Sequence, residues 1–216
     1  MKLASLLRHF ATAALLGGCT VRTGSIKGDG NLRTEQRQIS DFSALDAAGA
    51  YDVQWSSGAP SLTITTDQNL LPNIHSEVTG DTLKIHSEGS LAPTRGIKIV
   101  IQSNALARVN LTGAVMLTAQ RVAAAGFAAA SAGASTINVD GNVTNLTVEL
   151  TGASRLNASG LNSKSADVSL VGASSADVAV QETLKTTITG AGSLTYTGQP
   201  TTVEKQVTGA GSIHHK

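Results

Sequence analysis

The dipeptide Gly-Ala recurs through the second half of the chain at Gly113, Gly133, Gly152, Gly172, Gly190 and Gly209, at intervals of 20, 19, 20, 18 and 19 residues. Self-similarity at a fixed period of this size belongs to chains that stack one small unit on the next. Two aliphatic columns keep step with it. Two places before each glycine stand Leu111, Ser131, Leu150, Leu170, Ile188 and Val207; four places after stand Leu117, Ile137, Leu156, Ala176, Leu194 and Ile213. Between the columns apolar and polar residues alternate, as in Thr147-Val148-Glu149-Leu150-Thr151. A period of two inside the unit marks strands, and a period near 19 between units marks one coil per unit. A linker rich in Ala, Ser and Gly has no reason to hold aliphatic columns in register with its glycines.

The expected fold is therefore all-β, with a parallel β-helix or solenoid-like stack over residues 105–216. Each coil is expected to hold three short strands and three bends, with right-handed connections. The six glycines are expected at corners, where their backbone freedom is needed. The Ala methyls are expected to stack inward there, with Ser and Thr hydroxyls facing out or forming ladders. Residues 122–134 fit worst, because Ser131 stands in an aliphatic column; a distorted or partly helical coil is expected there. Residues 32–104 read as a less regular β-rich part. Gly80-Asp81 between Ile74–Val78 and Leu83–Ser87 predicts a hairpin with Val78 opposite Leu83, Glu77 opposite Lys84 and His75 opposite His86. The composition agrees: 22 glycines with only 3% aromatic residues suit narrow stacked layers better than a bulky core.

The chain opens with Lys2 and Arg8 and an apolar run from Phe10 to Leu16, too short for the ~20 residues that span a bilayer. It ends in Leu16-Gly17-Gly18-Cys19, which resembles a bacterial lipobox. Residues 1–18 are thus expected to be a lipoprotein signal peptide and Cys19, the sole cysteine, to carry lipid. Residues 19–31, with three glycines among Thr, Ser and Lys, are expected to be a flexible, lipid-anchored tether. The expected partner is then the membrane through that lipid, in the cell envelope. The absence of Asp after Cys19 points toward the outer membrane.

Nothing in the residues argues for chemistry. A net charge of +1 gives no electrostatic case for nucleic acid. Gly28-Asp29-Gly30 lacks the third glycine and the preceding strand of a dinucleotide loop, and no cofactor is expected. Asp140, Asp167 and Asp177 sit 7, 15 and 5 residues past their repeat glycines, so stacking does not line them up as a catalytic pair. His75 and His86 face each other beside Glu77 without further ligands, and His214-His215 end the chain; no metal site is expected. Tyr51, Trp55 and Tyr196 are the aromatic candidates for stacking on sugar, with core roles expected instead. The reading is a non-catalytic display, adhesion or binding protein that offers a Ser/Thr/Asn-rich face to a glycan or an envelope protein. The alternatives are an assembly lipoprotein that docks a partner by edge-strand addition and, remotely, a polysaccharide-active enzyme.

Taken together, several segments resemble a known family. They are Gly28-Asp29-Gly30-Asn31-Leu32, Phe42-Ser43-Ala44-Leu45-Asp46 leading into Gly49-Ala50-Tyr51-Asp52-Val53, Gly96-Ile97-Lys98-Ile99-Val100-Ile101, and the closing Gly-Ala-Ser and Gly-Ala-Gly-Ser units. Their order over residues 28–214 resembles the family called putative auto-transporter adhesin, head GIN domain. The resemblance implies a bacterial, exported, commonly lipoprotein-like and β-rich chain of solenoid character, with no catalytic residue to carry over.

Overall fold

The computed structural model describes residues 24–216; residues 1–23, with the expected signal peptide and Cys19, lie outside the described residues. It is a β-solenoid of about five regular turns. The chain forms β1 (Ile26–Lys27), β2 (Leu32–Arg37), β3 (Ala44–Gly49), β4 (Asp52–Ser57), β5 (Ser61–Asp67), β6 (Ile74–Thr79), β7 (Thr82–Ser87), β8 (Leu91–Ala92) and β9 (Lys98–Ser103). It continues as β10 (Arg108–Gly113), β11 (Met116–Gly133), β12 (Thr136–Gly152), β13 (Arg155–Gly172), β14 (Ser175–Gly190), β15 (Ser193–Thr197), β16 (Thr202–Gly209) and β17 (Ser212–His215).

Two parallel ladders run along the stack. One pairs β7, β3, β10, β11, β12, β13, β14 and β16 in that order; the other pairs β9, β4, β11, β12, β13, β14, β15 and β17. The long strands β11 to β14 belong to both, their first halves to the second ladder and their last halves to the first. The stack does not begin at residue 105. β3 and β4 form a coil in register with it, Gly49 lying opposite Gly113, and β7 and β9 form the layer beneath. Antiparallel strands close this end: β6 pairs with β7, β5 with β9, and β2 with β5. The β6–β7 hairpin has the expected register, Val78 on Leu83, Glu77 on Lys84 and His75 on His86.

Burial shows why each coil bends. In one coil the inward residues are Ser135, Ile137, Val139, Val143, Leu146, Val148 and Leu150. Steps of two are regular strand; the steps of four and three, at 139–143 and 143–146, are places where the chain turns a side. The ladders shift register near the first of these, as between Ala119 and Val122. The two expected aliphatic columns are buried except in the last layer, and together they give one continuous core from Phe42 to Tyr196.

The coil at 122–134 is strand throughout rather than partly helical, because its alternation survives: Phe127, Ala129 and Ser131 all point inward. Ser131 is tolerated there because its hydroxyl pairs with that of Ser154 at 3.0 Å. The distortion is confined to Arg121, which has φ 57°. Its amide donates to the Asp140 carboxylate at 2.6 Å.

The corners correct a second expectation. Ala134, Ala153, Ala173 and Ala191 are exposed, while Ser135, Ser154 and Ser174 are buried. The alternation runs straight through the corner, from Leu150 past Gly152 to Ser154 and Leu156, so the alanine falls on the outer side. Each buried hydroxyl is satisfied by the corner glycine one coil below. Ser135 donates to Gly113 O at 3.3 Å, Ser154 to Gly133 O at 3.3 Å and Ser174 to Gly152 O at 3.2 Å. A bonded inward serine costs little, whereas an unbonded one is penalised. The alanines do stack: Ala153, Ala173 and Ala191 each donate their amide to the glycine of the coil below, at 2.8 Å.

Candidate binding face

The outward residues of the first ladder form rows along the strands and columns across them. One column reads Arg108, Ala128, Thr147, Asp167, Lys185, and the next reads Lys84, Asp46, Asn110, Ala130, Glu149, Ser169. β11 alone offers only methyl groups to solvent here, at Ala128, Ala130 and Ala132. Its neighbours offer Arg108, Asn110 and Thr112 on one side and Thr147, Glu149 and Thr151 on the other. With strands ~4.8 Å apart, the gap between those two walls is about 10 Å. The result is a depression of about 510 Å³ with Ala128 and Ala130 in its floor.

Polar groups on the rim are held in place. Arg108 Nη2 lies 3.5 Å from Asp81 Oδ2. The Asp81 carboxyl is held below the ordinary aspartate range by the Thr82 hydroxyl first, then by Ser43, with the Arg108 guanidinium adding to it. Asn110 Nδ2 donates to Asp46 Oδ1 at 3.5 Å. Lys84, Asp46 and Glu149 take part in no ion pair among the described residues. The floor is thus apolar and the rim carries two carboxylates, an amide, a guanidinium and an ammonium, which is the make-up of a recognition surface.

Other candidates separate. Asp167 faces out of the first ladder, Asp177 lies on the second ladder opposite Asn157, and Asp140 holds the Arg121 bend. They are not neighbours. Tyr51, Trp55 and Tyr196 are buried, with Trp55 Nε1 donating to Ser103 Oγ at 2.9 Å. His75 and His86 stack at 5.3 Å, and His75 Nε2 lies 3.4 Å from Glu88 Oε2. Among the described residues no group of three or more His, Cys, Asp or Glu side chains is placed to hold a metal. The expected corner glycines lie in register, Gly113 to Gly209, with φ between 91° and 123°. The alanine floor was missed by sequence reasoning, which read residues 122–134 as a poor coil. Its signal was present: three alanines at outward positions where the flanking coils carry Arg108, Asn110 and Thr112 on one side and Thr147, Glu149 and Thr151 on the other.

A family model, putative auto-transporter adhesin, head GIN domain, matches residues 41–200. No curated protein matches the chain. Among solved structures, the chain is similar to a putative adhesin from Bacteroides fragilis, with 18% identity, a TM-score of 0.73, and coverage of 89% of this chain and all of that one. It is similar to a putative adhesin from Parabacteroides merdae at 21% identity and a TM-score of 0.62, covering 89% and 99%. It is also similar to a putative lipid binding protein from Parabacteroides distasonis at 23% identity and a TM-score of 0.55, covering 89% and all of that chain. At these identities the likeness is one of fold.

Proposed function

Since the chain belongs to the family called putative auto-transporter adhesin, head GIN domain, we propose that it is an exported, non-catalytic binding protein of the cell envelope, lipid-anchored at Cys19, that takes glycan strands across its first outward face. The observation that carries this reading is the methyl-floored depression on β11 between two polar walls. A sugar ring has C–H faces and hydroxyl edges. Alanine methyls suit the former, and the planar side chains of Asn110, Asp46, Arg108 and Glu149 suit the latter. Individual contacts on so shallow a surface are weak. A chain of repeating sugars, met by several lipid-held copies, gains strength by multivalency. The family name and the adhesin descriptions of similar structures support an adhesion or binding role.

The test is a glycan array followed by titration calorimetry with a soluble chain from Thr20. Ala130→Trp fills the depression without touching the core and is expected to weaken binding at least about tenfold, or roughly 1.4 kcal/mol. Undiminished binding by that variant, or no binding across a broad array, overturns the proposal. Anchoring is read separately, by mass spectrometry of the membrane-extracted protein: Cys19→Ser removes the lipid mass.

A further inference from the structure

The two ends of the stack are finished differently. At the N-terminal end antiparallel strands lie over the core, and the chain before them is a strap rather than a leash. Ile26 N donates to Ser90 O at 2.8 Å, Gly28 N to Ala92 O at 2.9 Å and Gly30 N to Asp67 Oδ1 at 2.8 Å. The segment expected to be flexible as far as residue 31 is thus held from Ile26 onward. At the C-terminal end no strand of the described residues lies over the last layer: β16 pairs only with β14, and β17 only with β15. Alternate N–H and C=O groups of β16 therefore point away from β14 with no strand to take them.

The core side of this last layer follows a definite pattern. Val203 stands on Leu184, Lys205 on Thr186 and Val207 on Ile188, and all three lower residues are buried. The two flanking columns are apolar beneath it, through Leu146, Ala166 and Leu184 on one side and Leu150, Leu170 and Ile188 on the other. The middle column reads Val109, Ala129, Val148, Val168, Thr186 and Lys205, so it turns polar in its last two layers. The Thr186 hydroxyl is buried and has no hydrogen-bond partner among the described residues, a state that is penalised. The Lys205 ammonium has no carboxylate within ion-pair distance among them.

We propose that β16 receives a strand from a partner protein, an extended segment whose acidic residue is flanked two places away on each side by an aliphatic residue. The unpaired backbone groups require a polypeptide edge, the one ligand that can return N–H and C=O groups at strand spacing. Charge complementarity selects its centre. A carboxylate over Lys205 is the counter-charge that the middle column lacks, and aliphatic side chains over Val203 and Val207 continue the outer columns and cover exposed surface. The corner adds a condition. A β-carbon at Gly209 would meet Gly190 O at 2.6 Å. A parallel segment that runs past Gly209 in the same register must therefore carry glycine two places after its second aliphatic residue, or end before it. A second copy of β16 fails at the centre, because it sets lysine against lysine. The acid thus separates a partner from the chain itself. β13 and β14 lie between this edge and the depression on β11, so strand addition here and glycan binding there are independent.

Every strand pairing of the described residues lies between Ile26 and His215, so the soluble chain from Thr20 keeps the whole fold. It is titrated, with fluorescence anisotropy as the readout, against the labelled peptide Thr-Val-Thr-Glu-Gln-Val-Thr-Gly and its counterpart with lysine in place of glutamate. The glutamate peptide is expected to bind at least about tenfold more tightly and to slow amide exchange in β16 but not in β11. The same residues with the alternation broken, Val-Val-Glu-Thr-Gln-Thr-Thr-Gly, are expected to bind as weakly as the lysine peptide. Lys205→Glu is expected to reverse the preference, a gain of binding that a misfolded chain does not show. Lys164→Glu, on β13, is expected to leave the preference as it was. Binding of neither peptide overturns the proposal. So does equal or tighter binding of the lysine peptide, the result that marks an edge for a second copy, and so does a preference that Lys205→Glu leaves in place.

Discussion

Gly152 is constrained twice over. Its φ is 97°, and a β-carbon built there would lie 2.5 Å from Gly133 O. The first is a region side chains avoid, and the second is a contact with backbone that has no room to retreat. Gly152→Ala is therefore expected to destabilise by about 2–4 kcal/mol in a denaturant titration. Its neighbours respond differently. Ala153→Ser, on the outside, is expected to stay within about 0.5 kcal/mol, and Ser154→Ala, which loses the bond to Gly133 O and leaves the buried Ser131 hydroxyl without its partner, to cost about 2–3 kcal/mol. Asp67 is the other residue under heavy constraint, accepting from Gly30 N, Thr94 N and Thr94 Oγ1. Bonds from Thr94, backbone then hydroxyl, hold its carboxyl below the usual aspartate value of 3.8. Lowered in the fold, this group contributes stability that is fully present above that value and is lost as pH falls through the depressed one. Asp67→Asn is expected to lower stability at neutral pH and to flatten the acid limb of a pH–stability curve. An unchanged acid limb contradicts that role. The inward serines were legible in principle. Leu150 and Leu156, both interior, are six residues apart, so strand parity puts Ser154 on their side, whereas its polarity alone argues for the outside.

At the scale of the strand, both ends of the stack are closed by inward cations. On β2, Arg37 bonds the carbonyls of Leu71 and Ile74 and the Ser76 hydroxyl across the end of the core. On β16, Lys205 lies in register with the buried Thr186 and places its Nζ 5.4 Å from the Tyr196 ring centroid. His215 stacks on that ring at 4.6 Å. Parallel strands with free edges invite a second copy, and an inward charge is one way to refuse it. If β16 met its own copy about a two-fold axis at Lys205, Val203 would face Val207 and the two lysines would face each other. Lys205→Val removes that repulsion and completes an apolar row. It is expected to produce concentration-dependent dimers in sedimentation velocity, where the unaltered protein stays monomeric over the same series. Strand positions were readable because the alternation of aliphatic residues is unbroken. The order of layers was not: β3 lies between β7 and β10, and β4 between β9 and β11, a choice made by pairings across long loops that leaves no local mark.

Across the whole molecule, stability is a sum over layers, each resting on its neighbours. The inner layers bury Leu, Ile and Val on both sides, while every residue of β16 is exposed and Val203 and Val207 are 38% and 42% open. Amide exchange is expected to be fastest in β15 to β17 and slowest in β11 to β13, read by mass spectrometry of peptides. Uniform protection contradicts a layered account. The period of the repeat made this architecture legible, and one position within it explains a further property. Following each corner two residues on, the inward side chains are Tyr51, Val115, Ser135, Ser154, Ser174, Gly192 and Gly211. At Gly211 a β-carbon would come within 2.6 Å of Ile188 Cγ2. The corner of the prism therefore tapers from tyrosine to glycine, and its storeys are not interchangeable bricks. A designer who wished to lengthen this protein has one place to insert a duplicate storey without a misfit, the three serine-lined turns from Gly133 to Thr189.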